Sequence, residues 1–193
     1  MYDIEHISAG TLCLGIQQQG GAVTEQPDER DAVDEVLAQW SQRRPGLDVS
    51  AMGVVGRVQR AGHLLGAAIA SNLASVNLEP WEFDVLATLR RAGELTAGEL
   101  TRASMVTSGA MTNRVDRLIQ RGLVARRPNP QSRRAVLIDL TDDGRAVVDE
   151  ALIGHIGNLD ALAAYLSESE RRQLAALLKK LLIGLGDTPP ADV

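Results

Sequence analysis

With 193 residues and a formal charge of −5, the chain can bury one sizeable core, or a small domain plus an extended dimerisation element. Two Trp, two Tyr and one Phe leave that core to Leu, Val, Ala and Ile, and a single cysteine, Cys13, excludes an internal disulfide. No apolar run approaches the roughly 18–20 residues of a membrane span, and His6, His63 and His155 lack a Cys or His partner at ligand spacing, so a soluble cytoplasmic protein without metal, cofactor or membrane partner is expected.

Residues 1–26 hold the Gly20-Gly21 pair, three consecutive Gln and no period, which predicts a disordered tail. The run TEQPDERDAVDEV reads like a natural amino terminus, which makes Val23 an alternative start. Residues 27–78 are read as two helices. From Asp28 to Arg44, Val33, Val36, Leu37 and Trp40 form one apolar stripe on an acidic helix, stopped by Pro45-Gly46. Asp48 to about Asn77 is longer and richer in apolar residues (Met52, Val55, Val58, Leu65, Ile69, Leu73). Gly53, Gly56, Gly62 and Gly66 weaken this helix by about 1 kcal/mol each relative to Ala, which points to close approach by a neighbouring helix. His63 lies on this helix, either as a pH-sensitive group facing a dimer partner or as an ordinary core or surface histidine.

Residues 79–141 read as a helix-turn-helix with a wing. Pro80 suits the first turn of the helix EPWEFDVLATLRRAG, with Trp81, Val85 and Leu89 along one side. Thr96-Ala97-Gly98-Glu99 is a capping box for a short helix to about Ala103, and Ser104 to Val106 make the turn. Thr107 then opens the helix TSGAMTNRVDRLIQRG, which Gly122 closes. Two short strands joined by an Arg-rich turn follow, ending near Leu140. Residues 142–186 are helical again: Thr141-Asp142-Asp143 caps a helix to about Leu166, and Ser167-x-x-Glu170 opens another. The last carries Leu174, Leu177, Leu178, Leu181, Leu182 and Leu185 at helical spacing, a face read as dimer-forming, the alternative being that it folds back on its own chain. Residues 187–193 form a tail. The fold class expected is mainly α with a small β-hairpin.

The charge is unevenly spread. From Arg90 to Arg134, ten arginines stand against Glu94, Glu99 and Asp116, a local +7 in a chain of −5. A basic segment on an acidic chain is the footprint expected for double-stranded DNA. On a helical wheel Met111, Val115, Leu118 and Ile119 form the buried face of the 107–121 helix. Gly109, Asn113, Asp116, Arg117 and Gln120 face away, with Thr112 on the flank. Asn reads adenine and Arg guanine by paired hydrogen bonds, each worth about 1–3 kcal/mol of discrimination. Thr107 and Ser108 lie where free backbone N–H groups and the helix dipole favour a phosphate. Arg133 and Arg134 at the wing turn can reach a narrow minor groove. The bland alternative makes these residues a solvated face and a soluble edge.

The stretches SGAMTNRVDRLIQRGLVAR and NPQSRRAVLIDLTDDG carry a resemblance. Residues from about 48 to 186 resemble a MarR-family winged-helix regulator. The resemblance implies a triangular homodimer whose terminal helices interlock, bound to a pseudo-palindromic operator. One departure is visible: Asn129 and Ser132 stand where the family wing usually has Asp, while Arg134 is kept.

The extra amino-terminal helix ending in Trp40, with Asp84, Arg114 and Arg126, is similar to the urate-responsive branch of that family. That resemblance implies a ligand site in which Trp40 and Arg114 contact a planar anion. Asp84 is then displaced by its charge, and Arg126 relays the change to the recognition helix. The residues themselves are compatible. Arg114 lies about 100° around its helix from Asn113, Asp84 on a core-packed helix needs a cation such as Arg126, and a Trp face suits a flat ligand. Trp40 as core packing, Asp84 with Arg126 as a structural ion pair and Arg114 on a phosphate are the alternatives.

The expected function is a dimeric transcriptional regulator, a repressor released from DNA by a small anionic ligand such as urate. Three alternatives share the fold: a different effector, a thiol switch at Cys13, or a winged-helix module that binds protein. An enzyme is not expected, because no nucleophile–His–acid set, paired catalytic carboxylates or glycine-rich phosphate loop is present.

Overall fold

The computed structural model describes residues 29–104 and 107–187, and only the backbone of Arg133 and Arg134. The expectations for the tail of residues 1–26, Cys13, most of the 187–193 tail and part of the 104–106 turn lie outside the described residues. The chain divides into two compact units, residues 1–53 and 54–193.

In the first unit, α1 (Ala32–Arg43) begins where the sequence supplies a reciprocal cap. The Asp31 carboxylate accepts the N–H groups of Val33 and Asp34 at 2.8 and 2.9 Å, and Asp34 accepts that of Asp31 at 3.0 Å. Carboxylates there also meet the positive end of the helix dipole. Val33 is its buried residue. The helix stops as Gly46 takes φ +89°, a conformation other residues adopt at a cost. Asp48 then accepts the Ser50 N–H at 2.9 Å and starts α2 (Ser50–Ala74).

The second unit takes up α2 from Val54. Only the carboxyl-terminal end of this helix, Ile69 and Leu73, packs into the core. Val54, Val55, Val58, Leu64 and Leu65 remain exposed, and a methyl group at Gly62 or Gly66 would meet nothing within 4 Å. At Gly62 and Gly66 the close neighbour that the sequence calls for is therefore not supplied by the described residues of this chain.

The core gathers around α3 (Pro80–Ala92), which buries Phe83, Val85, Leu86 and Leu89. Pro80 occupies its first position, where the missing N–H costs nothing. Gly93 ends it at φ +80°. A two-residue strand β1 (Leu95–Thr96) leads into α4 (Ala97–Ser104), whose capping box is formed: Glu99 accepts the Thr96 N–H at 2.6 Å. The helix α5 (Ser108–Gln120) presents Met111, Val115 and Leu118 to the core, as the wheel predicts. Strands β2 (Val124–Asn129) and β3 (Ser132–Leu140) form the wing.

The sheet has three antiparallel strands in the order β1-β3-β2, one more than the expected hairpin. Leu95 pairs with Ile138, and Val124 with Leu140. Thr141 caps α6 (Asp142–Ala163) by accepting the Gly144 N–H at 3.0 Å, and its hydroxyl donates to the Gly122 carbonyl at 2.7 Å. One residue thus starts a helix and ties it to the end of α5. Beyond Ala151 no residue of α6 is fully buried, although the His155 ring lies 4.7 Å from that of Phe83, and α7 (Glu168–Gly184) has no buried residue at all. Among the described residues no helix is long and apolar enough to cross a membrane.

Candidate nucleic-acid interface

The first turn of α5 is uncharged, small and exposed. Thr107, Ser108 and Gly109 all reach solvent, and no acidic residue stands there. Thr107 accepts the Ala110 N–H at 3.3 Å, and the Thr112 hydroxyl donates to the Ser108 carbonyl at 3.1 Å. The N–H groups ahead of Ala110 lack partners within their helix and have the helix dipole behind them, an arrangement that favours an anion. Thr112 and Asn113 continue this exposed face. Thr107, Ser108, Gly109, Thr112 and Asn113 are thus exposed together, and the rear of the helix is fixed by Met111, Val115 and Leu118, each completely buried.

Arg117 does not extend away from the domain. Its guanidinium lies 4.6 Å from the centre of the Trp81 ring and donates to Glu79 at 3.1 Å. Arg114 also lies over Trp81, at 5.6 Å. Arginines three apart on a helix share a face, and Trp81, at the start of α3, receives both. The Trp81 indole N–H donates to the Glu79 carboxylate. That bond first, with the Arg117 guanidinium behind it, holds the Glu79 carboxyl below its usual range.

Arg121, at the end of α5, reaches a buried partner. It donates to Glu82 at 2.6 Å and to the Asn77 carbonyl at 2.9 Å, and Glu82 is 3% exposed. Asn77 itself holds φ +56°, so this ion pair clamps a strained turn between α2 and α3. A cavity of about 390 Å³ opens over Asn77, Glu79, Glu82, Arg117 and Arg121.

The wing is braced at its base. Arg127 donates to Glu94 at 2.5 Å and to Asp139 at 2.8 Å, and Arg145 reaches Asp139 at 3.5 Å and the Leu140 carbonyl at 3.1 Å. At the tip the Asn129 side-chain carbonyl accepts the Gln131 N–H at 2.8 Å. Asn can make that turn contact as well as Asp can, so the Asn129 departure does not undo the turn. Arg133 and Arg134 occupy the start of β3 directly after it.

The expected ligand residues are distributed differently from the sequence reading. Arg126 forms its ion pair with Asp116 of α5 at 2.8 Å, and none joins it to Asp84, which is exposed on α3. The Asp84–Arg126 pairing is therefore corrected. Asp116 stands on the side of α5 that β2 approaches, whereas Asp84 is outside Arg126's ion-pair reach. Trp40 belongs to the first unit, on α1, and is 40% exposed, so it is not simple core packing. Sequence reasoning missed Glu79 and Trp81. The available signal was the Glu-Pro-Trp triplet, in which a helix-opening Pro leaves a carboxylate and an indole side by side. Among the described residues no group of His, Cys, Asp and Glu is placed to hold a metal.

Comparison with known proteins agrees with this architecture. Residues 78–136 match the MarR family. The HTH-type transcriptional regulator PecS of Dickeya dadantii is 36% identical over 152 residues, 77% of this chain and 92% of PecS. A mutant MarR from E. coli complexed with operator DNA has a TM-score of 0.62 at 29% identity, covering 74% of this chain and 97% of that one. Bordetella bronchiseptica BpsR, whose DNA binding is regulated by 6-hydroxynicotinic acid, has a TM-score of 0.61 at 28% identity, covering 67% and 98%. With its exposed helix start, its β-wing and its likeness to these regulators over most of their length, the chain belongs to the MarR family of DNA-binding transcriptional regulators and is not an enzyme.

Proposed function

We propose that the protein is a homodimeric repressor, released from a pseudo-palindromic operator by a small planar anion of the urate type. The observation that carries the DNA-binding half is the first turn of α5, exposed and free of carboxylates above a fully buried rear face. Thr107, Ser108 and Gly109 take a phosphate there, Thr112, Asn113 and Arg117 read the major groove, and Arg133 and Arg134 carry the wing into the minor groove. The homodimer is supported by the uncovered apolar residues of α2 and α7 and by Gly62 and Gly66 of α2, where an added methyl group would meet none of the described residues within 4 Å.

The ligand half rests on Trp40, Asp84, Arg114 and Arg126, and on the likeness to PecS and BpsR. In this chain the relay runs from Arg126 to Asp116 and so directly onto α5. An anion that draws Arg126 or Arg114 toward itself shifts the recognition helix, and a coupling of about 1–3 kcal/mol lowers operator affinity 5- to 150-fold. Titrating urate into an operator-binding assay on the upstream intergenic region tests the effector. Unchanged binding at millimolar urate removes urate, and 6-hydroxynicotinate is then the next planar anion to titrate. Binding that is weak and insensitive to salt removes the DNA reading itself.

A further inference from the structure

The recognition helix keeps one of its groove-reading side chains engaged within the domain. Arg117 is held on two sides at once, by the Glu79 carboxylate and by the face of Trp81. Glu79 is in turn fixed by the Trp81 indole N–H. It also stands at the amino-terminal cap of α3, donating its own N–H to Glu82 at 3.0 Å. The carboxylate therefore has a partner besides Arg117 in the Trp81 N–H, and the backbone that carries it is held by Glu82. Both members of the Glu79–Arg117 pair keep 56% side-chain exposure. An exposed pair of this kind exchanges its partner at small cost, because neither charge loses a buried environment.

We propose that Glu79 is an internal competitor for DNA, occupying Arg117 so that the recognition helix reaches an oxygen of the operator only by giving up this carboxylate. The inference rests on the reading of Arg117 as a DNA contact. It differs from the action of Glu82, whose pair with Arg121 is buried on the carboxylate side and serves the fold. Glu79 sets affinity instead. Every binding mode that uses Arg117 must first break the same contact, so the free protein holds its DNA affinity below what its arginines would give.

The test is a double-mutant cycle on operator affinity in the full-length protein. Glu79→Gln keeps an oxygen for the Trp81 N–H and removes the charge, so the melting temperature serves as the control for folding. In the wild-type background Glu79→Gln is expected to tighten binding about two- to fivefold, the range an exposed ion pair spans. In an Arg117→Ala background the same substitution is expected to change nothing. Equal tightening in both backgrounds overturns the proposal, since removing any nearby negative charge would then explain it. Weaker binding by Glu79→Gln also overturns it and makes Glu79 a brace that aims Arg117. If Arg117→Ala alone leaves affinity unchanged, Arg117 is not a DNA contact and the inference fails, while wild-type operator binding still upholds the proposed function.

Discussion

A methyl group built on Gly144 would stand 1.9 Å from the carbonyl oxygen of Leu123, so the first turn of α6 packs directly on the backbone that leaves the recognition helix. The neighbour is main chain and has no rotamer to change. Gly144→Ala is therefore expected to cost about 3 kcal/mol, the upper end of overpacking, measured as a fall in the urea midpoint. Gly109 on α5 has nothing within 4 Å of the same added atom, and Gly109→Ala is expected to gain up to about 1 kcal/mol in helix propensity. A loss of stability there would mean that α5 is packed on a side the structure leaves open. The pair of Arg121 with Glu82 gives a third case. Arg121→Ala leaves a carboxylate that is 3% exposed without its cation. A cost of about 2–3 kcal/mol is expected, the low end for a buried pair because Arg121 itself stays one-third solvated. No difference between Arg121→Ala and wild type in urea would show that Glu82 is satisfied by its bond to the Glu79 N–H alone.

The four Ser and Thr residues that the sequence marks as helix starts (Thr96, Thr107, Thr141 and Ser167) are all engaged as caps. The Thr96–Glu99 box has a consequence for acid stability. Hydrogen bonding from the Thr96 backbone N–H, then from its hydroxyl, holds the Glu99 carboxyl below its ordinary 4.5. The unfolded chain then binds the proton more readily than the folded one. The stabilisation is present above pH about 4.5 and is lost as pH falls through the lower folded value. Wild type should exceed Glu99→Gln in urea midpoint at pH 7, and the gap should narrow as pH falls below about 4.5; a gap that does not change with pH would assign the box no charge-dependent part. Caps and wheels were legible because they depend on residues three or four apart. The strand Leu95–Thr96 was not, since two residues have no period and its pairing with Ile138 and Leu137 lies over forty positions away. Nor were the arginine partners. A wheel fixes where a Cβ points, but a guanidinium sits several bonds further out, and Arg126 and Arg117 each had more than one carboxylate to choose from. They settled on Asp116 and Glu79.

Taken alone, the second unit leaves a large apolar surface uncovered. Ile153 is 77% exposed, Leu177 59%, Ile183 53% and Leu64 65%, and no side chain of α7 is buried. The winged-helix core needs none of these residues, because Phe83, Leu86, Leu89, Leu100, Met111 and Leu118 are closed over by neighbours within the unit. Association and folding can therefore be separated by mutation. Placing charges at Leu177 and Ile183 together (Leu177→Glu with Ile183→Glu) is expected to yield a monomer in sedimentation while the core keeps its cooperative thermal transition. Operator affinity should then fall by about 100-fold or more, since each recognition helix would have to find its half-site without the effective concentration that a joined partner supplies. A dimer that persists with both charges in place would move the interface away from α7. A monomer that still bound the whole operator as tightly as wild type would mean that the two half-sites are read independently. The DNA contacts of one α5 and one wing would then have to carry the whole affinity, which their partly engaged arginines are poorly placed to do. In the proposed dimer, the apolar face of α7 and the basic middle of the chain are coupled through the operator.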